Sequence, residues 1–201
     1  RGRTFLRDPG NMLVQLGIVP DSVSTVVLSN MHYDHAGNND LFPNARYHVQ
    51  DREMAFCTGR CMCHQPLRYP YEVDDVTAML HRLFAGRVQF HDGDTELAPG
   101  LTLHHIGGHT AGLQVMRVWT QRGWVVLAAD ALHFRANMVS GKPFPVFLDQ
   151  GALLEGYQTL RKLAESDAHI IPGHDGSLII DYHRVDSRHD GIIRIDPAPR
   201  N

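Results

Sequence analysis

The feature that most narrows the fold of this chain is a repeated junction. Four times a short apolar run ends and a histidine or aspartate follows within three residues. Ser24 to Ser29 passes into Asn30-Met31-His32-Tyr33-Asp34-His35-Ala36-Gly37. Leu101 to Ile106 passes into Gly107-Gly108-His109-Thr110-Ala111-Gly112. Trp124 to Ala129 ends at Asp130, and His169 to Ile171 runs into Pro172-Gly173-His174-Asp175-Gly176. Runs of this length, rich in β-branched residues, read as buried strands. Polar residues just past strand ends are where a rigid sheet converges side chains from distant positions.

The intervening sequence supplies the other layers. Phe42-Pro43-Asn44 marks a turn before a strand over Arg46 to Val49. A helix is expected over Asp51 to Cys63, and a clearer one over Val73 to Phe84. In the latter, Val76, Met79, Leu80 and Leu83 recur at spacings of three and four. A loop with Pro66 and Pro70 separates the two. Arg87 to His91 reads as a strand, and Leu113 to Trp119 with Trp124 to Ala129 as a hairpin around Gln121-Arg122-Gly123. Leu153 to Glu165 reads as a helix with Leu154, Tyr157, Leu160 and Leu163 on one face. After Tyr182 the pattern fades, and Asp196 to Asn201 reads as a loose tail. This order implies a layered α/β domain with mixed sheets. A length of 201 residues suits one domain, set here at 1–185 and followed by a tail over 186–201.

Composition narrows the function. The net charge of -3 leaves no basic footprint for nucleic acid. No apolar run reaches the roughly 20 residues needed to span a bilayer, so no membrane partner is expected. Three cysteines, Cys57, Cys61 and Cys63, are too few and too close for a disulfide framework and fit a reducing, cytoplasmic setting. No signal peptide is visible, although the chain begins at Arg1 and not Met. Fourteen histidines raise the prior for metal, imidazole being the commonest protein ligand.

Alternate residues on an extended segment point the same way, so His32 and Asp34 are expected to face one pocket and His35 a neighbouring position. The ordinary alternative for this run is a polar loop capping a helix, with Asp34 or Asn30 as the cap. Singly, Asp130 reads as a strand-end turn residue. Taken in order, His-x-Asp-His, Gly-His, strand-Asp and Gly-His read as a metal site of His32, Asp34, His35, His109, Asp130 and His174.

The set resembles the signature of the metallo-β-lactamase superfamily, His-x-His-x-Asp-His followed by a later His, a bridging Asp and a last His. Within it, Tyr33-Asp34-His35-Ala36-Gly37-Asn38, Leu41-Phe42-Pro43-Asn44-Ala45, Asp51-Arg52-Glu53-Met54, Gly107-Gly108-His109-Thr110 and Pro172-Gly173-His174-Asp175 resemble the N-acyl-homoserine lactonase-like group, over about Arg1 to Tyr182. The resemblance implies a four-layer αβ/βα sandwich, here expected to lack its N-terminal strands. It implies up to two zinc ions: one on His32, His109 and the residue at position 30, the other on Asp34, His35 and His174, with Asp130 bridging. Asn30 stands where the signature has a histidine, so the first position is expected to be weak. His133 stands where a tyrosine is expected three residues past the bridging Asp. It is a candidate donor to an oxyanion or leaving alkoxide, and equally an ordinary pocket residue.

The expected activity is therefore metal-dependent hydrolysis of a small-molecule lactone or related carboxylic ester, with Asp34, Asp130 and His133 as catalytic candidates and, as the resemblance implies, a link to quorum quenching. The alternatives are hydrolysis of a thioester, β-lactam or phosphodiester on the same scaffold, or metal binding with impaired catalysis because of Asn30. A homodimer is compatible with the sequence. Cys57, Cys61, Cys63 and His64 match no standard zinc spacing. His104 and His105 point to opposite faces of a strand. No partners are assigned to His81, His91, His169, His183 or His189.

Overall fold

The computed structural model describes residues 7–186 and 191–200. Helix α1 (Pro9–Gln15) is capped by Asp8, whose carboxylate accepts from the Asn11 N–H at 2.8 Å. Then come β1 (Thr25–Val27), a one-turn helix α2 (Tyr33–Ala36), β2 (Arg46–Gln50), α3 (Asp51–Cys57), α4 (Gln65–Arg68), α5 (Val73–Phe84) and β3 (Val88–His91). The second half holds β4 (Thr95–Ala98), β5 (Leu101–His105), β6 (Gln114–Thr120), β7 (Gly123–Ala129), α6 (Arg135–Ser140), α7 (Gln150–Leu163), β8 (Ile170–Pro172), α8 (Leu178–Asp181), β9 (His183–Arg184) and β10 (Ile193–Arg194).

Strands β1, β2 and β3 form a parallel sheet. Strands β4 to β8 form a second sheet in sequence order, antiparallel except for the parallel β7–β8 pair. Each sheet carries its own helices. Met54 and Cys57 of α3 and Met79 of α5 bury against Tyr47 and Val49 of β2. Tyr157 and Leu160 of α7, with Leu154 and Leu163 beside them, bury against Val115, Val126 and Ile170 of the second sheet. The two sheets meet through Gln114, whose Nε2 donates to the Leu28 carbonyl at 2.7 Å and whose Oε1 accepts from Gln50 Nε2 at 2.9 Å. Helix, sheet, sheet, helix is the four-layer αβ/βα sandwich.

Several expectations needed correction. The helix expected over Asp51 to Cys63 stops at Cys57. Thr58 turns its hydroxyl back to the Met54 carbonyl at 2.6 Å, and Gly59 packs so tightly that a Cβ would sit 2.6 Å from the Ala55 carbonyl oxygen. Residues 60–63 continue as a single 3-10 turn. The stretch read as fading past Tyr182 is also structured: β10 pairs with β9, and Ile193 and Ile195 pack beside buried Val125 and Tyr182. His189 lies outside the described residues. No helix among them is long and apolar enough to cross a membrane.

Candidate metal centre

The ends of β1, β5, β7 and β8 deliver the site. Asp130, 2% exposed, is its hub. His174 Nε2 lies 2.8 Å from its Oδ1, and His133 Nε2 3.2 Å from the same oxygen. His35 Nε2 and His109 Nε2 lie 2.6 and 3.3 Å from Oδ2. His32 Nδ1 stands 2.9 Å from His109 Nε2. The structure thus brings together all six residues expected as ligands, in two groups: His32, His109 and Asp130, and Asp34, His35 and His174. Asp34 Oδ2 is 3.7 Å from both His35 Nε2 and His174 Nε2.

The local route differs from the expected extended segment at residues 32–34 with His35 on the adjoining turn. His32 is the extended N-cap of α2, and Asp34 and His35 lie within its helical turn. That turn, not strand alternation, sends His32 to one group and Asp34 with His35 to the other. Asn30 is fully buried and engaged on both sides of its amide. Its Oδ1 accepts the His32 N–H at 2.9 Å, and its Nδ2 donates to Asp130 Oδ2 at 2.8 Å. The face it turns to the site is therefore a donor, with no lone pair for a cation.

The outer partners aim the rings. His109 Nδ1 donates to the Val146 carbonyl at 2.7 Å, which leaves the Nε2 lone pair of a neutral ring facing the site. Ser29 Oγ lies 3.1 Å from His35 Nδ1, and the buried His35 Nε2 faces Asp130 Oδ2. The His35 nitrogen 2.6 Å from the shared carboxylate, with the two facing nitrogens of His32 and His109, could serve a divalent cation such as zinc.

Electrostatics agree. Burial, reinforced by His109, lowers the His32 pKa to about 3. Burial also lowers His109, and lowers His133 to about 4. Burial opposes ionisation of Asp130, but the hydrogen bond from His174 and the contact of His35 outweigh it and hold the carboxyl well below the usual range. His174 is raised first by that hydrogen bond, and His35 is raised by Asp130 against the penalty of burial.

Glu53 was not singled out from sequence. It is fully buried on α3 behind the site. Its Oε1 accepts from the Met31 N–H (2.8 Å) and the Tyr71 hydroxyl (3.2 Å). Its Oε2 accepts from the Thr110 hydroxyl (2.6 Å) and the Gly112 N–H (3.0 Å). One carboxylate thus ties the loop carrying His32 to the loop carrying His109. Gly112 is required for this approach, since a Cβ there would sit 2.6 Å from Glu53 Cα. Ahead of Asp130, Ala129 adopts φ 44°, a left-handed conformation costly for a residue with a Cβ. Gly173 packs against it; a Cβ on Gly173 would lie 2.6 Å from the Ala129 carbonyl oxygen.

The histidines set aside from sequence sit elsewhere. His104 pairs with Asp94 at 2.7 Å, and His105 with the Ala111 carbonyl at 2.9 Å. His91, given no partner from sequence, has His48 Nδ1 at 2.9 Å, and His169 bonds the Arg122 carbonyl at 2.8 Å.

The cavity over the site has a volume of about 410 Å³ and an apolar wall of Tyr69, Pro70, Phe134, Phe144 and Val146. A neighbouring one of about 280 Å³ shares His32, His109 and Tyr69 with it and adds Phe56, Leu67, Phe147 and Leu148.

The N-acyl homoserine lactonase AiiA of Bacillus thuringiensis subsp. kurstaki is 30% identical over 167 residues, covering 82% of this chain and 61% of the relative. The N-acyl homoserine lactonase AiiB of Agrobacterium fabrum (strain C58 / ATCC 33970) is 36% identical over 137 residues, covering 62% of this chain and 46% of the relative. The chain thus spans about 61% of the length of the Bacillus relative. A crystal structure of a quorum-quenching N-acyl homoserine lactone lactonase superposes with a TM-score of 0.68 at 27% identity, covering 84% of this chain and 65% of that one. AidC, a dizinc quorum-quenching lactonase, shares the fold with a TM-score of 0.66 at 18% identity, over 86% of this chain and 65% of that one. The model of the metallo-beta-lactamase superfamily matches residues 2–174, a span that includes every strand exit described above, and the chain belongs to that superfamily.

Proposed function

We propose that this chain is a metal-dependent hydrolase that opens a lactone or a related carboxylic ester, with zinc as the expected metal. The observation that carries the reading is the convergence of five histidines and Asp34 around Asp130 at the floor of a largely apolar cavity. Its similarity to N-acyl homoserine lactonases makes an acylated lactone the first substrate to try.

His32 and His109 with Asp130 would hold one ion, and Asp34, His35 and His174 with Asp130 the other. When bound, a divalent metal supplies Lewis acidity and lowers the pKa of water. The chain's own residues do the rest. Asp34, with its side chain 35% exposed at the cavity edge, is placed to orient an attacking water and take its proton at a carboxylate oxygen. The apolar wall excludes bulk water, and the adjoining cavity, lined by Phe56, Leu67, Phe147 and Leu148, suits an acyl chain or ring. Asn30 turns a donor toward Asp130, which supports a weak first position.

The test is a panel of lactones, carboxylic esters, thioesters and phosphodiesters, assayed with added zinc against Asp130→Ala and His174→Ala. Lactone or ester turnover, lost in both variants while the circular dichroism stays native, is expected. Undiminished activity in either variant refutes the assignment, and turnover of phosphodiesters alone refutes the substrate class. Asn30→His should raise occupancy at the first position; two tightly held equivalents in the unaltered protein would contradict its weakness.

A further inference from the structure

His133 is held in a way that an ordinary pocket residue does not require. Its side chain is 7% exposed, and its ring stacks on both Phe144 (centroids 4.3 Å apart, planes at 16°) and His174 (5.0 Å, 20°). That stacking fixes the direction of Nε2, which points at Asp130 Oδ1 from 3.2 Å. The same oxygen receives His174 Nε2 at 2.8 Å. One nitrogen each of His133 and His174 and one Asp130 oxygen all lie within 4.8 Å of one another. Two ligand atoms bound tetrahedrally to one zinc at about 2.0–2.1 Å are separated by about 3.4 Å, close to the His133–Asp130 spacing.

Asp130 divides its oxygens in a way that matters here. The Asn30 amide donates to Oδ2, on the side of His35 and His109. Oδ1 is left to His133 and His174. The imidazole missing at position 30 is thus matched by an extra imidazole at position 133, on the other oxygen of the same carboxylate.

We propose that His133 is a protein ligand to the ion held by Asp130 and His174. This rests on the metal-centre reading above, and it replaces the donor role that the sequence suggested for His133, because a ligating Nε2 has no proton to give. The consequence is a centre biased toward one tightly held ion, shared by the three imidazoles of His35, His133 and His174 with Asp34 and Asp130.

The test is cobalt(II) binding to the metal-free full chain, followed by calorimetry and by visible absorption, in the unaltered protein and in His133→Phe, which keeps a ring in the Phe144–His174 stack. Affinity for the first equivalent should fall at least about tenfold in the variant, with a changed d–d spectrum. Affinity within twofold and an unchanged spectrum overturn the proposal while leaving the metal centre standing. Failure of the unaltered protein to bind any cobalt overturns both. Should the variant not fold, X-ray absorption of the unaltered protein with one zinc equivalent decides: three imidazoles per ion are expected, and two overturn the assignment.

Discussion

Glu53→Gln isolates what the buried carboxylate contributes to the site. The replacement keeps the shape and half of the acceptor capacity. In either orientation the new amide nitrogen faces two of the four donors. Facing Thr110 and Gly112, it can donate to the Thr110 hydroxyl once that rotates, but it opposes the Gly112 N–H. Facing Met31 and Tyr71, it can donate to the Tyr71 hydroxyl but opposes the Met31 N–H. One buried backbone N–H is therefore stranded either way, at about 1–3 kcal/mol. Weakening of the remaining bonds on loss of the carboxylate brings the total to about 2–4 kcal/mol. For a domain of this size that corresponds to a fall in Tm of about 4–16 °C. Thermal melts of the metal-free protein by circular dichroism measure it, with Tyr71→Phe, which removes one donor, as the milder control at about 0.5–1.5 kcal/mol. Hydrogen exchange should speed up at the amide of Met31 or of Gly112. A fall in Tm under about 2 °C with both amides still protected would refute the reasoning.

Other outcomes follow from the same geometry. His35 and His174 are raised by Asp130, so the stability they lend the metal-free protein is present below the ordinary imidazole value of 6.5 and lost as pH rises through their folded values; metal binding should release fewer protons as pH climbs through that range, and release independent of pH would contradict it. His32 and His133, lowered to about 3 and about 4, act in the opposite sense, and stability should fall as pH drops below 6.5 in urea titrations of the metal-free chain. Gly173→Ala should cost about 1–3 kcal/mol by driving a methyl into the Ala129 backbone, and an unchanged denaturation midpoint would show that the two segments can separate. Burial, aided by Glu53, pushes the Cys57 thiol up to about 12, so iodoacetamide at pH 8 should modify it at least ~100-fold more slowly than exposed Cys63; equal rates by mass spectrometry would place Cys57 at the surface.

The sequence disclosed what is periodic or local. Val73–Phe84 forms a helix over the expected residues because Val76, Met79 and Leu80 fall on one face and that face is buried. The four strand exits were legible because each apolar run ends abruptly in a chemically distinct residue. What escaped was set by distance or by a single bond. The partners of Glu53 lie 22, 57 and 59 residues away at Met31, Thr110 and Gly112, and no local pattern marks them. The helix from Asp51 ended early because Thr58 and Gly59 satisfy the chain differently, although Cys61 and Met62 would suit a helical face. The helical turn over Tyr33–Ala36 begins earlier than the turn expected at His35, because three ligand-type residues in four carry no periodicity that separates extended from helical backbone. Short α6 and edge strand β4 lack the repeat length that periodicity needs.

The contact between Ala129 and Gly173 has one more consequence. It is made by main-chain atoms, and the paired strands β7 and β8 enforce it. Asp130 and His174, each one residue beyond it, are carried as a rigid couple by the sheet. Main-chain bonds from Gly173 and His174 to the Leu132 and His133 carbonyls fix the couple further. The walls above divide in two: the Val146 carbonyl and the Phe144 ring steady His109 and His133, whereas Leu67, Tyr69 and Phe147 line the cavities without holding a ligand residue in the contacts described above. Substitutions in the second set can change what the cavity accepts while the Asp130–His174 spacing keeps its dimensions.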